Sequence, residues 1–314
     1  MTAEGSRLSA QCCSHQQLEL GEGVRWDGRR DELLWVDVHR GRLHIASVSG
    51  TGLDRLAEID VGGPLTAVFP LPDLDDGWLV GHGQGLAALD RSGRLRELVA
   101  PERHRPGHTR VNDGACDAEG RLWLGSMEYA GAADAGRLYR LDLSGRLTVA
   151  LAPTTVSNGI GWSPDGQTMY FVDSGAGTVT AYAFDDGELR DPRVLVHVDD
   201  GGVPDGLCVD DEGCVWVAIW GGGEVRRYGP DGALLARVET PARQPSCCAF
   251  GGPDRDVLFI TSARVGQSET ELSHQPHAGC LFAVEAGVTG PAALPYRGPL
   301  EVTDATVDDA GGAA

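Results

Sequence analysis

Apolar and polar positions follow one recurring plan along most of this chain. A short apolar run leads into an acidic, glycine-containing turn, and a second apolar run centred on a bulky residue follows. The plan is clear in RWDGRRDELLWVD (25–37), ACDAEGRLWLGS (115–126), GWSPDGQTMYFVDS (161–174), CVDDEGCVWVA (208–218) and AFGGPDRDVLFITSA (249–263), and fainter in AVFPLPDLDDGWLVGH (67–82). The second runs centre on Trp35, Leu79, Trp123, Phe171, Trp216 and Phe259, spaced by 44, 44, 48, 45 and 43 residues. A third run with a leading glycine comes next in each repeat, as in GRLHIASV, GLAALD and GTVTAYAFD. Short alternating runs bounded by Gly, Asp and Pro predict β-strands, and a fixed period predicts a repeat architecture.

Four strands in about 45 residues make one propeller blade, and six blades need about 270 residues. The expected fold is all-β, a six-bladed β-propeller over residues 17–302. Residues 1–16 are expected to be a disordered N-terminal extension, and 303–314 a disordered C-terminal tail. Two separate all-β domains are the competing architecture, but no Ser/Pro-rich tract or charge run interrupts the repeat.

In a propeller the innermost strands line a central channel, so residues at one repeat phase form a ring around it. Counting back 11 to 13 residues from the six markers reaches Glu22, Thr66, Asn112, Asn158, Asp205 and Ser246. All six carry polar oxygen or nitrogen. Asn-Gly and Asp-Gly strings often mark hairpin turns. Each of these repeats already has its hairpin turn further on, however, at 117–120, 163–166 and 210–213. Converging carboxylates and amide oxygens need a neutralising partner, and all-oxygen ligation suits a hard divalent cation in the channel.

Composition narrows the chemistry. With 26 basic and 46 acidic side chains the formal net charge is −20, which disfavours nucleic acid and anionic membrane surfaces as partners. Every basic residue is arginine, which excludes Schiff-base and phosphate-loop chemistry that needs lysine. There is no Gly-x-Ser-x-Gly elbow and no His-Glu-x-x-His helix. His104 and His108 flank a Pro-Gly and are expected to be surface residues. The eight cysteines contain no Cys-x-x-Cys, so neither zinc-site nor redox-motif spacing is read from them, and reduced thiols are expected. The N-terminus lacks the pattern of a secretion signal and no apolar run approaches a membrane span, so a cytoplasmic protein is expected.

Five strings taken together carry a family resemblance: Leu20-Gly21-Glu22, Arg110-Val111-Asn112-Asp113-Gly114, Ser157-Asn158-Gly159-Ile160-Gly161-Trp162-Ser163, Pro204-Asp205-Gly206-Leu207 and Ser246-Cys247-Cys248-Ala249-Phe250-Gly251-Gly252. In order and spacing the chain resembles the senescence-marker-protein, gluconolactonase and luciferin-regenerating family, which includes regucalcin. The resemblance implies a six-bladed propeller with one divalent metal ion in the channel, Ca²⁺ foremost and Mn²⁺, Mg²⁺ or Zn²⁺ as alternatives. It also implies hydrolysis of a small-molecule sugar lactone.

Carried over by position, the resemblance makes Glu22, Asn158 and Asp205 the metal ligands. It makes Arg110 and Asn112 substrate contacts and Asp205 a candidate catalytic base; Asp113, which the resemblance does not assign, and a metal-bound hydroxide are alternative bases. Glu128 is a candidate substrate contact, displaced from the usual acidic slot, and Gly23-Val24 replaces the usual proline of the first motif. Loop 264–279, with Tyr129 and Trp220, is the expected seat of substrate choice. A monomer or weak dimer is expected. A non-catalytic Ca²⁺-binding regulator, a hydrolase of other esters on the same site and a protein-binding scaffold are the competing readings. Arg110 argues against a pure cation site, which gains nothing from a guanidinium beside it.

Overall fold

The computed structural model describes residues 6–72 and 77–305. Its strands form six sheets arranged as the blades of a propeller. Blades 1 to 5 each begin with four consecutive antiparallel strands, whose innermost members are Gly21–Asp27, Leu65–Pro70, Thr109–Cys116, Ser157–Trp162 and Val203–Val209. Blade 6 contains Pro245–Gly251, Val257–Ser262 and Leu281–Glu285, and its outer strand is Gln11–Ser14 from the other end of the chain. The innermost strands touch in cyclic order, blade 6 closing on blade 1.

This closure uses strands from 6–14, part of the 1–16 stretch expected to be disordered. Blade 6 has only three strands of its own, and the N–H and C=O groups along Leu281–Glu285 would be left unpaired at an edge. Gln11–Ser14 pairs there antiparallel, while Ser6–Ser9 adds parallel to Leu234–Glu239 of blade 5. At the far end, Thr303–Asp304 pairs parallel with Arg146–Thr154 of blade 3, so the tail is ordered through Ala305. Residues 1–5 and 306–314, and 73–76 within the faint second repeat, lie outside the described residues.

Six apolar clusters fill the six seams between blades. Trp35 and Phe259 share the seam of blades 6 and 1, Trp123 and Phe171 that of blades 3 and 4, and Trp216 packs on Phe250 between blades 5 and 6. The acidic turns hold these aromatics in place. Asp117 Oδ1 accepts from the N–H groups of Gly120 and Arg121, and its Oδ2 accepts from Trp123 Nε1 at 3.0 Å. Asp210 repeats the arrangement with Cys214 N–H and Trp216 Nε1. The acidic residue of the repeat therefore builds the turn and satisfies a buried indole at once. No helix among the described residues is long and apolar enough to cross a membrane.

Candidate active site

In every blade the pairing of the first two strands slips at the ring position: between Glu22 and Arg25, Leu65 and Ala67, Val111 and Gly114, Ser157 and Ile160, Pro204 and Leu207, and Pro245 and Cys248. A bulge of this kind re-aims a side chain away from the regular alternation. The Asn-Gly and Asp-Gly strings are thus bulges in the inner strands. Their glycines are required by close approach. A Cβ on Gly159 would stand 2.4 Å from Leu207 N and 2.7 Å from Asp205 O, and one on Gly206 would stand 2.7 Å from Cys247 Cα. The absent side chains let blades 4, 5 and 6 approach at the channel.

Hydrogen bonds across seams bring the polar residues together. Asn158 Nδ2 donates to Asp205 Oδ1 and to Ser174 Oγ, the latter at 3.1 Å. Asn112 Nδ2 donates to the Ser157 carbonyl at 3.0 Å, and Arg110 Nη1 donates to Asn112 Oδ1 at 2.5 Å. From blade 1, Arg25 Nη2 reaches Asp113 Oδ1 at 2.9 Å. Glu22 belongs to the same field. Burial pushes its carboxyl well above the usual range, and the charges of Asp205 and Asp113 push it further, against a smaller pull from Gly23 N–H and Arg110. Asp205 is raised well above its usual value by burial and by Asp113, although the Asn158 hydrogen bond and Arg110 oppose the rise.

The remaining positions differ in their engagement. Ser246 Oγ donates to the Gly21 carbonyl at 2.5 Å and so closes the seam of blades 6 and 1. Thr66 is buried, its Oγ1 without a hydrogen-bond partner among the described residues. Glu128, half-buried at a strand end, turns its carboxylate onto its own loop and accepts from Ala130 N–H at 2.7 Å. Loop 264–279 leaves the second strand of blade 6 at the ring end of the channel, since Ser262 pairs with Pro245.

Three neighbours escaped the sequence reading. His108, exposed as expected, also stacks on Tyr129 with ring centroids 4.2 Å apart, and Arg110 Cζ lies 5.6 Å from the Tyr129 centroid. Ser174 has no signal in the ring phase because it comes from the turn after the second strand of blade 4, Thr168–Asp173. Arg25 did have one, since it follows Glu22 on the same inner strand beyond the bulge. A cavity of about 490 Å³ opens at the opposite end of the channel, against the hairpin turns, and is lined by Arg25, Asp113, Trp162, Cys208 and Phe250. Its charged pair is already closed, and Glu22, Asn158 and Asp205 do not line it.

The donor set fits a hard divalent ion. Two carboxylates from blades 1 and 5, Glu22 and Asp205, share one field, and Asn158, which donates to Asp205, has its Oδ1 buried without a hydrogen-bond partner among the described residues. Buried like charges and an orphaned amide oxygen are both costly until a cation satisfies them.

Residues 20–264 match the family described as SMP-30/Gluconolactonase/LRE-like region. The chain is 39% identical over 292 residues to the L-arabinolactonase of Azospirillum brasilense, covering 89% of this chain and 92% of that protein. It is 34% identical over 290 residues to the 6-deoxy-6-sulfogluconolactonase of Pseudomonas putida, covering 91% and 98%. The crystal structure of a calcium-binding regucalcin from Agrobacterium tumefaciens superposes with a TM-score of 0.86 at 30% identity, covering 94% of this chain and 99% of that one.

Proposed function

This chain belongs to the SMP-30/gluconolactonase/LRE-like family, and from that premise we propose that it is a divalent-metal-dependent sugar lactone hydrolase. The observation that carries this reading is the buried Arg110, hydrogen-bonded to the half-buried Asn112, in the same electrostatic field as Glu22 and Asp205. The two lactonase relatives support the substrate class.

Glu22, Asn158 and Asp205 would hold the ion, Ca²⁺ foremost. Such an ion, when bound, supplies polarisation of a carbonyl and acidification of a water molecule. The remaining work falls to the chain's own groups. Arg110 presents a buried guanidinium toward negative charge developing on the carbonyl oxygen, where low dielectric strengthens it. Asn112, anchored to the Ser157 carbonyl, is placed to orient sugar hydroxyls. Asp205 takes a proton from the attacking water and returns it to the ring oxygen as the carbon–oxygen bond breaks, giving the open hydroxy acid. Asp113 is the poorer base, because its Oδ1 already accepts from Arg25 and from Gly114 N–H.

A calcium regulator without turnover leaves Arg110 unaccounted for, since a buried cation beside a cation site weakens it. The reading is tested by proton release from a panel of aldonolactones, using metal-stripped protein re-supplied with Ca²⁺, Mn²⁺, Mg²⁺ or Zn²⁺. Turnover that needs metal and is lost in Asp205→Ala is expected. Tight Ca²⁺ binding by calorimetry with no lactone turned over under any ion would overturn it.

A further inference from the structure

Away from the channel, a second cluster carries ligands of a different character. Cys12 lies on the N-terminal strand that completes blade 6, and Cys280 directly precedes the strand it pairs with. The Sγ atoms of both and a ring nitrogen of His277 lie within 4.8 Å of one another. His15 Nδ1 is 3.5 Å from Cys12 Sγ, and the His15 and His277 ring centroids are 6.2 Å apart. In sequence these four residues are Cys12-x-x-His15 and His277-x-x-Cys280, two short chelating pairs that a search for Cys-x-x-Cys passes over.

The backbone shapes both pairs. Cys280 N–H donates to the His277 carbonyl at 3.0 Å, a turn that brings the two side chains to one side. Leu18 N–H donates to the Gly279 carbonyl at 2.8 Å, and a Cβ on Gly279, at φ +80°, would stand 2.3 Å from Leu18 O. The segment after His15 is thus locked against the segment after His277. The vicinal Cys13 turns elsewhere, with its Sγ donating to the Leu281 carbonyl.

We propose that Cys12, His15, His277 and Cys280 form a structural zinc site that fastens the N-terminal strand to blade 6 and so locks the ring closed. Two thiolates and two imidazoles are the donor set of closed tetrahedral zinc sites, and they suit zinc far better than the hard ion of the channel. Binding converts two thiols to thiolates and releases two protons for each zinc. The other mixed group near a cysteine, Asp210, Glu212 and Cys214, is already held by Arg227, which pairs with Asp210 at 2.7 Å and Glu212 at 2.6 Å.

Cobalt titration of the reduced full-length protein tests the site without recourse to activity. An intense thiolate-to-cobalt charge-transfer band is expected, saturating at one equivalent and displaced by Zn²⁺. The all-oxygen channel site cannot give that band. Cys12→Ser should abolish it, and His277→Ala should weaken cobalt affinity at least tenfold. Glu22→Gln, which strikes only the channel, should leave it intact. Absence of the band in the wild-type protein, its persistence in Cys12→Ser, or isolation of the protein with Cys12 and Cys280 joined as a disulfide would each overturn the proposal.

Discussion

Asn158 donates an amide hydrogen to Asp205 across the seam of blades 4 and 5, and leaves its own Oδ1 buried without a hydrogen-bond partner among the described residues. The residue therefore has two jobs, holding Asp205 in place and offering an oxygen to the channel. Asn158→Leu removes both at similar volume. Ca²⁺ affinity measured by calorimetry should fall by more than tenfold, about 1.4 kcal/mol or more. Ser174→Ala removes only the second acceptor of Asn158 Nδ2 and should weaken binding less.

Glu22 and Asp205 give the metal-free protein a defined pH response. Both carboxyls sit above their usual range in the fold, burial being the first cause. Between the ordinary carboxylate pKa of about 4 and those raised values, the folded chain holds more protons than the unfolded one. Stability of metal-free protein must then fall as pH rises through that window. Added Ca²⁺ should reverse the loss at neutral pH. Glu22→Gln should raise the melting temperature of metal-free protein at pH 7 and abolish the rise that Ca²⁺ gives the wild type. A metal-free Glu22→Gln protein less stable than wild type at that pH would contradict the argument.

Arg110 and Tyr129 should separate in kinetics. Arg110→Met removes a donor aimed at developing charge, and kcat/KM should drop by about 10²-fold, mostly in kcat. Tyr129 touches the guanidinium through its ring face and is 37% exposed at the mouth. Tyr129→Ala should raise KM with kcat largely kept. Steady-state rates on whichever lactone proves best distinguish the two.

The bulge glycines were legible in the sequence only as punctuation, and their cause is now physical. Gly206→Ala would press a methyl against the Cys247 backbone and side chain, both 2.8 Å away or closer. Overpacking of this kind costs about 1–3 kcal/mol. Thermal unfolding should register that loss, together with weakened Ca²⁺ binding, because Gly206 adjoins Asp205. Ala at Gly166, which has nothing within 4 Å but a φ of +69°, should lower stability without touching metal affinity.

How far the sequence could be read depended on whether a feature repeats. The seams, the acidic turns and the ring Glu22, Asn112, Asn158 and Asp205 recur at one phase, and counting finds them. Ser174, the Tyr129–His108 stack and the Cys12–Cys280 contact occur once, outside the repeat phase, and no period points to them. The segment QCCS at 11–14 has neither the length nor the alternation of the strands in blades 1 to 5 that repeat in the sequence. It is a strand because blade 6 lacks one, a tertiary cause with no local signal.

That cause yields a prediction that discriminates between the two N-terminal strands. Ser6–Ser9 is a fifth strand on blade 5, which already has four of its own, whereas Gln11–Ser14 is the fourth strand of a blade that has three. Deleting residues 1–9 should shift the melting temperature slightly, since the edge it uncovers lies at the outside of a complete blade. Deleting 1–14 exposes the backbone of Leu281–Glu285 and strips Ala10, Cys12 and Cys13 from the clusters of the last two seams. A long, freshly opened edge is a template for association, so this truncation should melt far lower and form oligomers that grow with protein concentration in light scattering. Both truncations are compared with zinc chelated, so that the difference reports strand pairing alone. Equal effects would mean that closure of the ring does not depend on Gln11–Ser14.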